Sequence, residues 1–319
     1  MMSTDAGSGA TMREQAVVAT DVGGTQMRLG VYDARGRQLF HRVGPTPHED
    51  PGALVEAIEE AVRASPLGVG AAVVGIAGPI DYERGVPRAL PHIPAWEGRV
   101  SAPGLADALG IPVVVANDAD LAALGEQRFG AGAGARDVVY LTASTGVGGG
   151  VVLGGRLLHS RYSLAEIGHT VIDRGSGASV EELGSGTALA ALAGEDPARI
   201  SARAAAGDER AAALFRAAAD AFALGVLNAA LCFMPERVVI GGGMSQAGDL
   251  LLGPVRERIA RAPAVLPLRP EDVVLATGGT DSGLLGACAL WLDLSDPSRA
   301  PAGLAMVPPG DAARRGAGD

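Results

Sequence analysis

Lysine is missing altogether from the 319 residues, so all 26 basic side chains are arginine. That excludes a Walker lysine, the strand lysine of protein kinases and any Schiff-base lysine. Aromatic residues are scarce as well: two Trp, four Tyr and five Phe leave few stacking platforms for single-stranded nucleic acid. Positive charge is in deficit, and a formal charge of −10 removes the usual drive to bind a phosphate backbone. The two cysteines, Cys232 and Cys288, stand far apart in apolar stretches. Two thiols make no disulfide framework for a chain this long, which points to a reducing compartment. No apolar h-region occurs in the polar segment 1–15. The most membrane-like stretch, 211–234, is interrupted by Arg216, Asp220 and Asn228. Its longest clean part falls short of the ~18 apolar residues of a span, so it reads as a buried helix. A cytoplasmic protein is expected, with neither membrane nor nucleic acid as partner.

What the chain does have is hydrophobic residues (48%) and glycine, and enough length for two domains. Segments 16–20, 27–32 and 38–43 read as strands, joined by a Gly23-Gly24-Thr25 turn and a 33–36 turn. Pro51 opens a helix to residue 64, with Leu54, Ala57, Ile58, Ala61 and Val62 recurring at helical spacing. The apolar run 69–77 suits a parallel strand covered on both faces. A Pro/Gly-rich stretch, 78–98, leads to a short helix (105–109) and a strand (112–116). The second half opens in the same way: strand 137–142, a glycine turn 145–150, strand 151–153 and a Gly154-Gly155 hairpin. A helix-rich region (180–234), strand 237–240, helix 249–259, strand 273–276 and helix 282–292 follow. The repeated opening predicts two related α/β lobes facing each other across a cleft. Their expected bounds are 16–116, with the helix around 282–293 packing back on it, and 117–281. Segments 1–15 and 295–319 are expected to be disordered tails.

Three glycine clusters end apolar strands: Gly23-Gly24-Thr25, Thr145 to Gly150, and Gly241-Gly242-Gly243. Without a Cβ, such turns let backbone N–H groups approach phosphate oxygens. One cluster alone would be a hairpin; three together favour phosphate binding. The Gly130–Gly134 loop follows a helix and precedes a strand, the reverse of a dinucleotide fingerprint, and is a linker. Asn117-Asp118 ends strand 112–116, where a carboxylate points into the crevice of an α/β sheet. Either residue could also cap the helix 119–129, and the two roles are compatible. Glu166-Ile-Gly-His169, with Glu181 beyond, could hydrogen-bond a polyol or form a metal pair; a lone histidine is more often structural.

In this order, Asp21-Val-Gly-Gly-Thr25, Gly75-Ile-Ala-Gly-Pro79, Asn117-Asp118, Thr145-Gly-Val-Gly-Gly-Gly150, Glu166-Ile-Gly-His169, Ile240-Gly-Gly-Gly243 and Asp281-Ser-Gly-Leu-Leu-Gly286 resemble the ROK family of sugar kinases and sugar-responsive repressors. The likeness runs from Val17 to about Leu292. It implies an actin-like, ribonuclease-H-like ATPase fold whose cleft holds ATP and a hexose. Asp118 then matches the base that takes the proton of the sugar hydroxyl. Gly78, Asn117, Asp118, Glu166, His169 and Glu181 match positions that hold the sugar. Gly23, Gly24, Thr25, Thr145 and Gly146 match the phosphate loops, Gly242 and Gly243 the glycines beside the adenosine, and Asp21 the carboxylate near Mg²⁺. Homodimers or homotetramers are common in such a family. Its members usually carry a zinc site built from the motif histidine and three cysteines. Here the corresponding stretch, 173–180, is shorter and has no cysteine, so no zinc is expected, and Glu182 could replace Glu181. The resemblance implies phosphorylation of a hexose, first of all glucose. A non-catalytic sugar sensor, a catalytically weak binder and a kinase for another hexose or N-acetylhexosamine are the alternatives. Only 20 residues precede Asp21, too few for the repressors' DNA-binding domain.

Overall fold

The computed structural model describes residues 15–310; of the tails expected at 1–15 and 295–319, residues 1–14 and 311–319 lie outside them. Three strands, β1 (Gln15–Val22), β2 (Gln26–Asp33) and β3 (Gln38–Pro45), form an antiparallel meander. Helix α1 (Gly52–Ala64) buries Leu54, Ala57, Ile58 and Ala61, the stripe expected from its spacing. The chain then adds β4 (Gly68–Ile76), the short β5 (Ile80–Asp81) and β6 (Val86–Pro87), α2 (Ala102–Leu109) and β7 (Val113–Asn117). The five longer strands make one sheet in the order β3-β2-β1-β4-β7, with β4 and β7 parallel to β1. Residues 16–20 of β1 are fully buried, because helices cover the parallel part on both faces.

Helix α3 (Asp118–Phe129) leads to the second sheet, built from β8 (Val138–Ala143), β9 (Val147–Leu153), β10 (Arg156–Leu157), β11 (Arg237–Gly241) and β12 (Val273–Leu275). Its order, β10-β9-β8-β11-β12, repeats the first sheet strand for strand, antiparallel and parallel pairs included. Between β10 and β11 lie α4 (Val180–Gly184), α5 (Gly186–Ala193), α6 (Pro197–Ala205) and α7 (Glu209–Phe233). Helix α8 (Asp249–Ala260) precedes β12, and α9 (Ser282–Leu294) follows it and packs on β1, β4 and α3. At the α3–α9 crossing the backbones touch. A Cβ on Gly286 would stand 1.6 Å from the Leu121 carbonyl oxygen, so only glycine fits there.

Three expectations change. The glycine turn after β8 is shorter than 145–150: Gly148, Gly149 and Gly150 belong to β9. Helix α3 lies so close on that strand that a Gly150 Cβ would come within 2.4 Å of the Ala119 carbonyl oxygen. The segment after Ser295 is not a free tail through residue 310. Leu304 and Val307 are buried, and Val307 bridges to Val113 at the edge of the first sheet. Finally, α7 is long and apolar enough to cross a membrane, with a mean hydropathy of 1.4. Yet it buries Phe215, Phe222 and Val226 in the second core and packs against α4, α6 and α8.

Candidate active site

The C-terminal ends of β1 and β7 and the turns after β8 and β11 converge on one cavity of about 320 Å³. Asp21, Gly23, Asp118, Gly242 and Gly243 line it, as do Ser144, Gln246 and Gly283. The first turn is closed by the Gly23 N–H donating to the Gln26 carbonyl at 3.0 Å. Thr46 anchors it, donating its hydroxyl to the Gly23 carbonyl and its N–H to that of Thr25. Gly242 has φ +85°, and a Cβ there would meet the Ala143 carbonyl oxygen at 2.4 Å, so the β11 turn requires glycine. Gly243 faces open space, with no heavy atom within 4 Å of a Cβ built on it. Thr145 lies on an adjoining, wider recess of about 700 Å³ between α5, α6 and the 243–247 turn. The two spaces share Ser144, Gly243 and Gln246.

Both roles weighed for Asn117-Asp118 are present. Asn117 caps α3, its Oδ1 accepting from the N–H groups of Ala119 (2.9 Å) and Asp120 (3.0 Å). Its Nδ2 donates to the Gly78 carbonyl at 3.0 Å, which ties the 78–79 loop to the helix start. Asp118, one residue on, projects into the cavity and accepts the Ala119 N–H at 2.9 Å. Burial raises the Asp118 carboxyl above the ordinary carboxylate range, offset by that N–H and by the charge of His92. Asp21 is pushed up to about 7, first by burial and then by Asp118; Arg28, at 3.5 Å, pulls it down. Two carboxyls crowded in one cavity share an excess of negative charge that a divalent cation would relieve. One or two carboxylates plus phosphate oxygens is how Mg²⁺ is commonly held, so Asp21 fits that ion.

Glu166 lies within electrostatic reach of Asp118, His169 and Glu181. The Glu166 carboxyl is raised by partial burial, then by Asp118 and Glu181, while His169 lowers it. Glu181 Oε2 accepts the Val147 N–H at 2.8 Å and lies against Gly146, bracing the β8–β9 turn. Glu182 is instead spent on its own helix, in a capping box with Ser179. The cysteine-free loop forms a small hairpin closed by a Val171–Ser179 bridge. Among the described residues, no three His, Cys, Asp or Glu side chains are grouped to hold a metal. Gly24, Thr25 and Gly146 sit on their turns beside the cavity without lining it, and Gly78, Asn117, Glu166, His169 and Glu181 also stand outside its lining.

Arg28, Ser144 and Gln246 were not singled out from the sequence, and Gly283 stood only inside the 281–286 motif, with no role assigned. Arg28 had a signal: a hairpin turning at 23–25 sets it opposite Asp21 in the β1–β2 register. Ser144 and Gln246 flank glycine clusters that were noticed, but neither residue type there marks a cavity wall by itself.

A family model described as "ROK family" matches residues 17–294. The chain belongs to the ROK family. It is 33% identical over 307 residues to a glucokinase of Streptomyces coelicolor, covering 86% of this chain and 96% of that one. An N-acetylmannosamine kinase of Citrobacter koseri is 36% identical over 291 residues, covering 86% and 98%. Among solved structures, a ROK family glucokinase of Streptomyces griseus in complex with glucose and AMPPNP superposes with a TM-score of 0.68 at 33% identity, covering 86% and 98%. The paired five-stranded sheets of this ROK protein are those of the actin-like ATPase fold.

Proposed function

We propose that this ROK sugar kinase transfers the terminal phosphoryl group of ATP to a hydroxyl of a hexose, glucose before others, with Asp118 as general base. The observation that carries this reading is one carboxylate, raised by burial, opening into a cavity walled by glycine turns and a second carboxylate. A carboxyl raised by burial is a stronger proton acceptor than an ordinary one. Asn117 and Gly78 would hold the acceptor beside it, and Glu166, His169 and Glu181 would accept from and donate to its other hydroxyls. The backbone at Gly23, Gly24, Thr145 and Gly146 would receive the phosphates, doing for a lysine-free chain what a lysine does elsewhere. Gly242 and Gly243 would flank the adenosine, whose base fits the recess beside Thr145. Mg²⁺, bound through phosphate oxygens and Asp21, would neutralise charge on the phosphates. Glucokinase relatives and the glucose- and AMPPNP-bound neighbour support glucose and ATP. The N-acetylmannosamine kinase relative supports an N-acetylhexosamine as the second candidate acceptor.

The test is a panel of hexoses and N-acetylhexosamines with ATP and Mg²⁺, read as ADP release. Glucose should give the highest kcat/KM. Asp118→Asn should lower kcat by about 10²–10⁴ while sugar affinity stays within a few-fold. Binding of glucose without turnover would replace the kinase with a sensor, and unchanged kcat in Asp118→Asn would remove that residue from the chemistry.

A further inference from the structure

His92 is the exposed tip of the segment 88–97, whose flanks are fixed. Leu90 and Trp96 are fully buried and Ile93 nearly so. The Leu90 N–H donates to Glu97 Oε1 at 2.8 Å, and the Trp96 indole N–H donates to the Pro47 carbonyl at 3.1 Å. A tip held on both sides presents its side chain in a defined direction. A Cβ built on Gly24 would stand 2.8 Å from the His92 Cβ and 3.1 Å from its Cγ, so the imidazole is rooted directly on the first glycine turn. It also lies within electrostatic reach of Asp118, whose carboxyl it lowers. His92 therefore stands on the Gly24 turn, within electrostatic reach of the carboxylate. The cavity's own cation, Arg28, is engaged by Asp21 and by Gln26 Oε1 (2.8 Å).

We propose that His92 is a further catalytic residue, its imidazole N–H donating a hydrogen bond to an oxygen of the phosphoryl group in transit between the Gly24 turn and the hydroxyl at Asp118. This rests on the phosphotransfer reading above. In that step the acceptor oxygen bonds to phosphorus as the bond to the leaving diphosphate breaks, and the hydroxyl proton passes to Asp118. His92 keeps its proton and stabilises charge on the transferring oxygens, a role suited to a preorganised donor where lysine is absent.

The experiment compares wild type, His92→Ala and His92→Gln with the acceptor and ATP. His92→Ala should lose about 10²-fold in kcat, the range for one preorganised donor, with both KM values within about threefold. His92→Gln, which keeps an N–H, should recover most of the loss, and added imidazole should partly rescue His92→Ala. A collapsed loop would instead raise KM and resist rescue, and a His92→Ala kcat within twofold of wild type would overturn the proposal. If no acceptor is turned over by wild type, the phosphotransfer reading itself fails. The ¹⁵N imidazole resonances of His92, assigned through His92→Gln, then decide. They should shift with Mg·ADP·aluminium fluoride plus glucose, and no shift overturns the role whether or not turnover is seen.

Discussion

A carboxyl group sealed inside a protein beside a single hydroxyl gives up its charge before it gives up its place. Asp120 is in that position: fully buried, with the Tyr82 hydroxyl donating to Oδ2 at 2.6 Å and Oδ1 without a partner. Burial pushes it up to about 8 even with the Tyr82 bond, and Asp118 adds repulsion. The group is raised in the folded state, so its stability is fully present below the unfolded carboxylate pKa near 4. It is lost progressively as pH rises to about 8 and stays level above that. Asp120→Asn keeps the shape and the Tyr82 bond but does not ionise. It should melt at least about 3 °C above wild type at pH 9 and within about 1 °C at pH 4.5, taking roughly 2–4 °C per kcal/mol. An equal gain at both pH values would sink this account. At this scale the sequence was readable where every use of a residue can be read at one place, as with Asn117 and Asp118, a cap and a carboxylate at a strand end. Asp120 and His92 were not, because Tyr82 and Gly24, which define them, come from elsewhere in the chain.

A short loop can be ordered by its own hydrogen bonds. In 171–179 the Asp173 carboxylate accepts the N–H groups of Gly175 (3.0 Å) and Ser176 (3.2 Å) and the Ser176 hydroxyl. The Gly177 N–H donates to the Asp173 carbonyl, and the Ile172 N–H to that of Ala178. Past it, the Val180 N–H donates to the Thr170 carbonyl, linking the stretch that carries His169 to the helix that carries Glu181. We predict that chelator-washed protein contains no stoichiometric zinc and that excess chelator leaves its Tm unchanged. Asp173→Ala should weaken sugar binding about tenfold by calorimetry with little change in Tm, since the residue is exposed. Unchanged affinity would show that the hairpin does not position His169 and Glu181. The periodicity of α1 and the apolar runs of β1 and β4 carried their assignments because each is decided by its own residues. Gly148–Gly150 misled, because what makes them a strand is their pairing with β8, the bare Cα of Gly150 leaving room for the α3 backbone. Likewise, nothing local in a Pro/Gly-rich segment announces that Val307 bridges Val113.

Across the whole molecule, two sheets of identical order are joined through α3 and α9. One core runs from the first sheet onto Val138, Tyr140 and Val239 of the second, and a separate core fills the rest of the second half. Particular contacts tie the halves together. One is the α3–α9 crossing at Gly286. Another is a strip where residues 80–82 pair with 161–163: the Tyr82 N–H donates to the Arg161 carbonyl (2.8 Å) and the Ser163 N–H to that of Ile80 (3.1 Å). A third is Glu126 of α3, buried and with no cation beside it among the described residues. It accepts from the N–H groups of Ala131, Thr277 and Gly278 and the Ser282 hydroxyl, fixing the loop that enters α9. These joints leave the cavity between the sheet ends as the place where one half can move on the other. Closure on a bound hexose would exclude water from the phosphoryl group, so water should be a poor acceptor when the sugar site is empty. ATP hydrolysis without hexose should therefore be slower than transfer to hexose by at least about 10²-fold, and the radius of gyration by solution scattering should fall when hexose is added. If hydrolysis and transfer ran at similar rates, the cavity would already be assembled in the open protein, and closure would have no part in choosing the acceptor.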